Sequence, residues 1–279
     1  MRQEMERFAA FKRGELLFND VPDPEYKNVK ADPVWAPHFQ ETSRWGTYYL
    51  GFNVTKPPFD NLKVRQAMNF AIDRETIVHL ILNDRGRVAK GVLPPGIMAY
   101  NPNLKGYNYD LARAKKLLSE AGYPDGKGFP EITLQFNRDP AHFRTSEFIL
   151  ANLRDLGINC NMKELDFPEH LGGVENGDAG FFRMGWTVDY PDPDNFLYTL
   201  FHSSNFGPKG NFARYQNLKL DELLERARFE IDPKDRIPLY QQAEQMVVDD
   251  APWVFVYHYT THGLCRQDVR GLKITPMGP

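Results

Sequence analysis

The sequence predicts an α/β fold, and three observations carry that prediction. A strand–helix–strand unit runs from "EITLQFN" through residues 143–156 to "INCNMKEL", closed by Gly157. There the apolar period switches from two to 3.6 and back, which marks a parallel α/β layer. Several helices carry explicit start and stop signals, and the remaining apolar runs are short enough to be strands.

Taken in order, the first dozen residues are helical, with Met5, Phe8 and Ala9 on one face and Gly14 ending the turn. "ELLF" reads as a short strand, residues 19–46 as mostly loop, and "TYYLGFN" at 47–53 as a strand. Asp60 or Asn61 caps a helix whose apolar face is Val64, Ala67, Met68 and Ala71. Asp73 opens another helix carrying Ile77, Leu80 and Ile81, and residues 84–108 form a Gly/Pro-rich loop. Asp110 caps the next helix, with a stripe of Leu111, Ala114, Leu117, Leu118 and Ala121, stopped by Gly122 and Pro124. Beyond the βαβ unit, "AGFFRMGW" is a strand and helices follow at 218–229 and 233–250. Asp232 caps the second of these, with Pro233 in its first turn. "WVFVYHY" and "HGLCR" close the chain as two strands.

At 279 residues the chain is long enough to bury a substantial core. Its 34 basic and 37 acidic residues nearly balance and no basic stripe appears, so nucleic acid is not an expected partner. No apolar run approaches the roughly 20 residues of a membrane span. "MRQEMERFAAFKRGELLF" lacks the apolar core and cleavage site of a secretory signal, so no export address is expected in the chain as written. Cys160 and Cys265 lie outside any CxxC or Cys/His cluster, which excludes a structural zinc motif and favours two buried thiols over a disulfide. No cofactor and no metal are expected. Much of the 20 Phe, 13 Tyr and 4 Trp must be core, and a chain rich in Tyr and Trp also fits a large ligand cleft.

"GWTVDYPDPDN" at 185–195 carries the functional question. Prolines occupy the interleaving places of its acids, which excludes a calcium loop. No distant carboxylate is marked as a glycosidase partner, and no GxSxG accompanies the scattered histidines. Asp192 and Asp194 read as turn formers in a Pro-fixed loop. Asp189 follows Trp186 at the end of an apolar strand, where a half-desolvated carboxylate needs a cationic or hydrogen-bonding partner. Spacing alone does not separate a ligand ammonium from an internal partner such as Arg183 or Arg214. Trp186 is core or ligand wall, and His142 is a ligand or metal contact or merely a cap.

"GWTVDYPDPDNFLYTLF" resembles the Gly-Trp-x-x-Asp-x-x-x-Pro-x-Asn/Ser-Phe segment of the family 5 extracellular solute-binding proteins of peptide and nickel ABC importers. "YYLGFNVTKPPFDNLKVRQAMNFAIDRETIV", "YDLARAKKLLSEAGYPDGKGFP", "AEQMVVDDAPWVFVYHY" and "VRGLKITPMG" are similar to further segments of that family, in family order. The resemblance implies a two-lobe fold of the periplasmic-binding-protein type II kind, here mainly the C-terminal lobe with part of the N-terminal lobe. It places 55–245 in the C-terminal α/β lobe and 1–54 with 246–279 in the hinge and the remnant of the other lobe. Complete members are far longer, so a C-terminal fragment with one wall of the site missing is expected.

In the peptide-binding branch, the resemblance implies that Asp189 receives the ligand's α-ammonium. It also implies that the backbone of Gly185, Trp186 and Thr187 pairs with an extended peptide, with Trp186 as a wall. Arg138, in "FNRDPAHFR", occupies the region whose arginine takes the ligand carboxylate, although its spacing to Gly157 is short. The expected function is capture of a peptide, or a similar amine-bearing solute, for the transmembrane permease subunits of an ABC importer. The resemblance implies a monomer without enzymatic activity in the periplasm or at the extracytoplasmic membrane face. A signalling or scaffold role, or a nickel-chelate or oligosaccharide ligand, is the alternative.

Overall fold

The computed structural model describes residues 2–278. Helix α1 (Arg2–Lys12) leads into strand β1 (Phe18–Asp20), helix α2 (Tyr26–Ala31) and a long strand β2 (Phe39–Phe52). Helix α3 (Leu62–Ala71) and a short helix α4 (Arg74–Thr76), continued by a π-helical turn at Ile77–Ile81, precede strand β3 (Arg87–Val88). Then come α5 (Leu111–Glu120), β4 (Ile132–Asn137), α6 (Pro140–Asp155), β5 (Cys160–Leu165) and α7 (Phe167–Glu175). Strand β6 (Phe181–Thr187), helices α8 (Asp194–Phe201), α9 (Leu218–Phe229) and α10 (Pro233–Asp250), and strand β7 (Trp253–Cys265) complete the order.

The expected caps form. Asn61, rather than Asp60, accepts from the Lys63 amide, Asp73 from Thr76, Asp110 from Arg113 and Asp232 from Lys234. Helix α6 begins at Pro140, earlier than expected, because Asp139 accepts from the amides of Ala141 and His142.

All the strands join one sheet in the order β1-β7-β2-β6-β4-β5, with β3 on β7. The parallel layer is confined to β4 with β5 and β4 with β6, and the other pairings are antiparallel. Residues 19–46, expected as loop, contain α2 and the first half of β2. Phe39–Ser43 become strand because Thr260–Leu264 pair with them, a long-range partner that no local pattern announces. The two C-terminal strands are likewise one. Gly263 does not break it; a Cβ there would lie 2.7 Å from the Phe18 ring, so glycine admits the close approach of β1. "ELLF" contributes only Phe18 to a strand. Helices α7 and α8 were not legible: α7 holds two glycines, and "DNFLYTLF" is apolar all round because α8 is buried.

The sheet buries both faces. Tyr48, Leu50 and Phe52 of β2 and Val254 and Val256 of β7 point one way and pack with α3, α5 and α6. Tyr49, Phe182, Met184, Trp253 and Phe255 point the other way, onto α8, α9 and α10. A third cluster of Phe8, Phe11, Val21, Tyr26, Val29 and Leu264 gathers α1 and α2 at the far end of the two long strands. Two buried arginines stitch helices to the sheet. Arg65 donates to the carbonyls of Phe59 and Asp250, and Arg74 to those of Phe255, Asn69 and Ile72. Both Arg65 and Arg74 are satisfied by neutral acceptors.

Glu244 of α10 ties down the "GVLPPGI" loop. Its buried Oε1 accepts from the Val92 and Leu93 amides, each at 2.8 Å, while Oε2 has no partner. Thr47 Oγ1 donates to the Val92 carbonyl at 2.8 Å, so the neighbouring His258 Nδ1, at 2.9 Å, must carry the proton between them. Burial pushes His258 down to about 3, which keeps the ring neutral.

Burial pushes Glu244 up from 4.5 to about 7, partly offset by the two amides. The folded chain therefore holds a proton that the unfolded chain releases between these values. This position favours folding below about pH 4.5 and costs stability as pH rises through 7. Glu244→Gln keeps the Oε1 acceptor without the charge. It should raise unfolding free energy at pH 8.5 by on the order of 1–2 kcal/mol and change it little at pH 4.5. Urea unfolding at both pH values checks this, and an equal effect at both would contradict it.

Candidate functional site

The site is built on β6. Its register with β2 pairs Gly46 with Thr187, Thr47 with Trp186 and Tyr48 with Gly185. On its other side, β4 pairs only at Phe181 and Phe182. Gly185, Trp186 and Thr187 therefore lie past the last β4 pairing, with a backbone edge that no strand of the described residues covers. His170 serves the last neutralised position before it: Nε2 donates to the Arg183 carbonyl at 2.8 Å, and Nδ1 accepts from Gln135 at 3.2 Å. Burial lowers His170 to about 4, consistent with this neutral tautomer.

Val188 continues the ladder by donating to the Trp45 carbonyl at 2.9 Å, and Asp189 then leads into the proline turn. Asp192 accepts the Asp194 amide at 2.9 Å, as a turn former should. Both acids do more than that. Arg236 of α10 forks onto Asp192 at 2.7 and 3.0 Å, and Arg228 of α9 meets Asp194 at 3.0 Å while lying 3.9 Å over the Tyr198 ring. Tyr190 also donates to Asp194, at 2.9 Å. Two helices thus clamp the turn by ion pairs that no spacing in the sequence reveals.

Asp189 itself is exposed, which corrects the expectation of a half-desolvated group: the turn carries it beyond the strand end. Its carboxylate accepts from Asn195 Nδ2 at 3.2 Å and forms no ion pair among the described residues. Neither internal candidate reaches it. Arg214 donates to the Glu175 carbonyl at 2.8 Å, and Arg183 donates to Asn137 at 3.0 Å and to Tyr259 at 3.4 Å. Trp186 is half-buried against the α8–α10 face, with Nε1 donating to Asn195 Oδ1 at 2.9 Å.

Arg138 is not brought to this group. It is exposed and pairs with Asp166 at 3.2 Å and Glu164 at 3.9 Å, across β5 on the side away from β6. Arg183, one turn of the pleat below Gly185, is the buried cation of the site. It lies 4.5 Å over the Tyr48 ring, its Nε has no partner, and no carboxylate meets it among the described residues. His142 sits close by, 5.6 Å from the Tyr48 ring, and burial followed by the Arg183 charge lowers it to about 3. Arg183, Asn195 and Tyr259 were missed as site residues. Asn195 stood inside the quoted segment, but nothing in the spacing shows its amide turning back onto residues 186 and 189. The two cysteines are free; Cys265 is buried and Cys160 half-buried. Among the described residues no three His, Cys, Asp or Glu side chains converge as metal ligands. No helix among them is long and apolar enough to cross a membrane.

The model of the bacterial extracellular solute-binding proteins, family 5, matches residues 1–208. The chain belongs to that family. It is 35% identical to heme-binding protein A of Haemophilus influenzae over 98% of this chain and 50% of that protein. It is 30% identical to the dipeptide-binding protein of Escherichia coli, over 98% of this chain and 51% of that protein. Among solved structures, Helicobacter pylori DppA in complex with the peptide STSA superposes with a TM-score of 0.82 at 29% identity, covering 97% of this chain and 52% of that one. HbpA2 from Haemophilus parasuis superposes at 0.86 and 30% identity, covering 99% and 54%. The chain spans about half the length of these relatives.

Gly185 is fixed by what lies over it. A Cβ there would run into the Tyr259 hydroxyl, with Arg183 Nη2 3.5 Å away. Gly185→Ala should destabilise the fold by about 1–3 kcal/mol. Adding Tyr259→Phe should recover most of that loss in urea unfolding, and no recovery would show the contact to be unimportant.

Proposed function

We propose that this chain is the ligand-gripping portion of a solute-binding protein that captures short peptides for an ABC importer. The observation that carries the reading is Asp189: an exposed carboxylate, oriented by Asn195 and, among the described residues, without a cationic partner, at the end of a strand edge that none of them pairs with. An extended peptide adding to Gly185–Thr187 gains main-chain hydrogen bonds without regard to its side chains. Its ammonium then meets Asp189 in a charge-assisted bond. Arg183, buried without a carboxylate, is the matching pole for the other terminus, and Arg138 is the alternative. Trp186 supplies the apolar wall.

Peptide-binding relatives and peptide complexes in the family support this choice. A heme is the second reading, carried by the heme-binding relative. Its propionates are anions, for which Asp189 is a poor partner. Under this proposal 55–245 is the C-terminal lobe and 1–54 with 246–279 form the hinge and part of the other lobe, β2 and β7 being the connecting strands. The protein acts outside the cytoplasm as a monomer, without catalysis, and hands its ligand to the permease subunits.

Calorimetry on the intact native protein tests the reading. Asp189→Asn should weaken trialanine by roughly 10–1,000-fold and leave N-acetyl-trialanine unchanged. Arg183→Met should weaken trialanine more than its C-terminal amide, whereas Arg138→Ala should weaken neither. Equal affinity of the wild type for free and acetylated peptide would rule out the ammonium site. Tighter binding of heme than of any peptide tried would favour the second reading.

A further inference from the structure

Asn195 uses both ends of its side-chain amide at the turn. It is 2% exposed, at the first turn of α8. Its Oδ1 accepts two hydrogen bonds, from Trp186 Nε1 at 2.9 Å and from the Asp189 amide at 3.0 Å. Its Nδ2 donates to Asp189 Oδ2 at 3.2 Å. One planar group thus fixes the wall, the backbone at the strand end and the rotamer of the carboxylate. An amide is required for this: a carboxylate supplies the acceptor but no donor, and an apolar residue leaves the half-buried indole N–H without a partner.

We infer that Asn195 is a positioning and specificity-determining residue. It holds one oxygen of Asp189 and thereby presents the other to the ligand ammonium, while keeping Trp186 upright as the adjoining wall. The inference rests on the ammonium reading of Asp189. The helix carrying Asn195 is held in turn by Asp192 on Arg236 and Asp194 on Arg228, so the amide is set on a rigid element rather than on a loose turn. Discrimination follows from geometry. A primary ammonium has three donors and donates one head-on to the offered oxygen, whereas a methylated or acylated terminus has fewer donors and more bulk.

Two variants of the intact native protein separate positioning from mere packing. Asn195→Asp has the same shape and keeps Oδ1 but replaces the donor with an anion facing Asp189. Asn195→Ala removes all three bonds. Trialanine affinity by calorimetry should fall at least about tenfold in Asn195→Asp, with the Trp186 indole N–H resonance in a ¹⁵N spectrum staying in its hydrogen-bonded, downfield range. In Asn195→Ala the same resonance should shift and the affinity should fall at least as far. In an Asp189→Asn background, Asn195→Ala should cost clearly less than it does in the wild type, because the carboxylate it positions is already gone and only the hold on Trp186 and the backbone remains to be lost. Wild-type affinity in Asn195→Asp, or a full additive loss in the double variant, would overturn the inference. A failure of the ammonium reading itself shows separately, in the wild type, as equal affinity for trialanine and N-acetyl-trialanine.

Discussion

The pairing of β2 with β7 is the constraint on which the rest of the molecule depends. From Phe39 against Leu264 to Gly51 against Trp253, two strands distant in sequence run together along the middle of the sheet. Alternation along them sends Tyr48, Leu50 and Phe52 to one helical layer and Tyr49 to the other, so one pairing organises both halves of the core. The outer part of the same ladder reaches the separate cluster around Phe11 and Tyr26. The register shift between Ser43 and Thr47 falls where these territories meet, beside Trp45 and the strand end of the site.

Under the proposed function, the pairing of β6 with its two neighbours decides where a ligand adds. Because β6 lies antiparallel on β2 along its whole length while β4 leaves it after Phe182, one edge of Gly185–Thr187 has no strand partner among the described residues, in the interior of the strand order. An uncovered edge invites another strand. Here the invitation is confined to three residues and is flanked by Asp189 at one end and by Arg183 below. The turn after it is held by Arg228 and Arg236, so under the proposed function little ordering cost remains at the moment of binding.

Arginines divide the labour according to their partners. Arg65 and Arg74 are spent on carbonyl oxygens and join helices to strands, which makes them structural. Arg228 and Arg236 neutralise the acids of the turn. Among the described residues, Arg183 has an amide oxygen, a phenol and an aromatic face but no anion, and Asp189 has an amide but no cation. Under the proposed function these two opposite charges, one on β6 and one in the turn after it, each without a counter-ion among the described residues, frame a zwitterion.

The sequence by itself determined the helices whose caps and stops are local. Asn61, Asp73, Asp110 and Asp232 accept the amides their positions call for, because an N-cap needs only residues two or three places away. It also determined the α/β class, the parallel β4–α6–β5 unit and the family, through segments whose order survives along the chain. Tertiary structure alone decided the rest. Residues 39–43 are strand only because β7 lies beside them, and α8 is helix only because the core surrounds it. That Asp189 is without a cation while Asp192 and Asp194 have one depends on which side chains of α9 and α10 arrive at the turn, and that Asn195 faces back onto Trp186 depends on the turn's path. Such facts concern residues brought together across the fold, and hydrophobic period and capping chemistry carry no information about them.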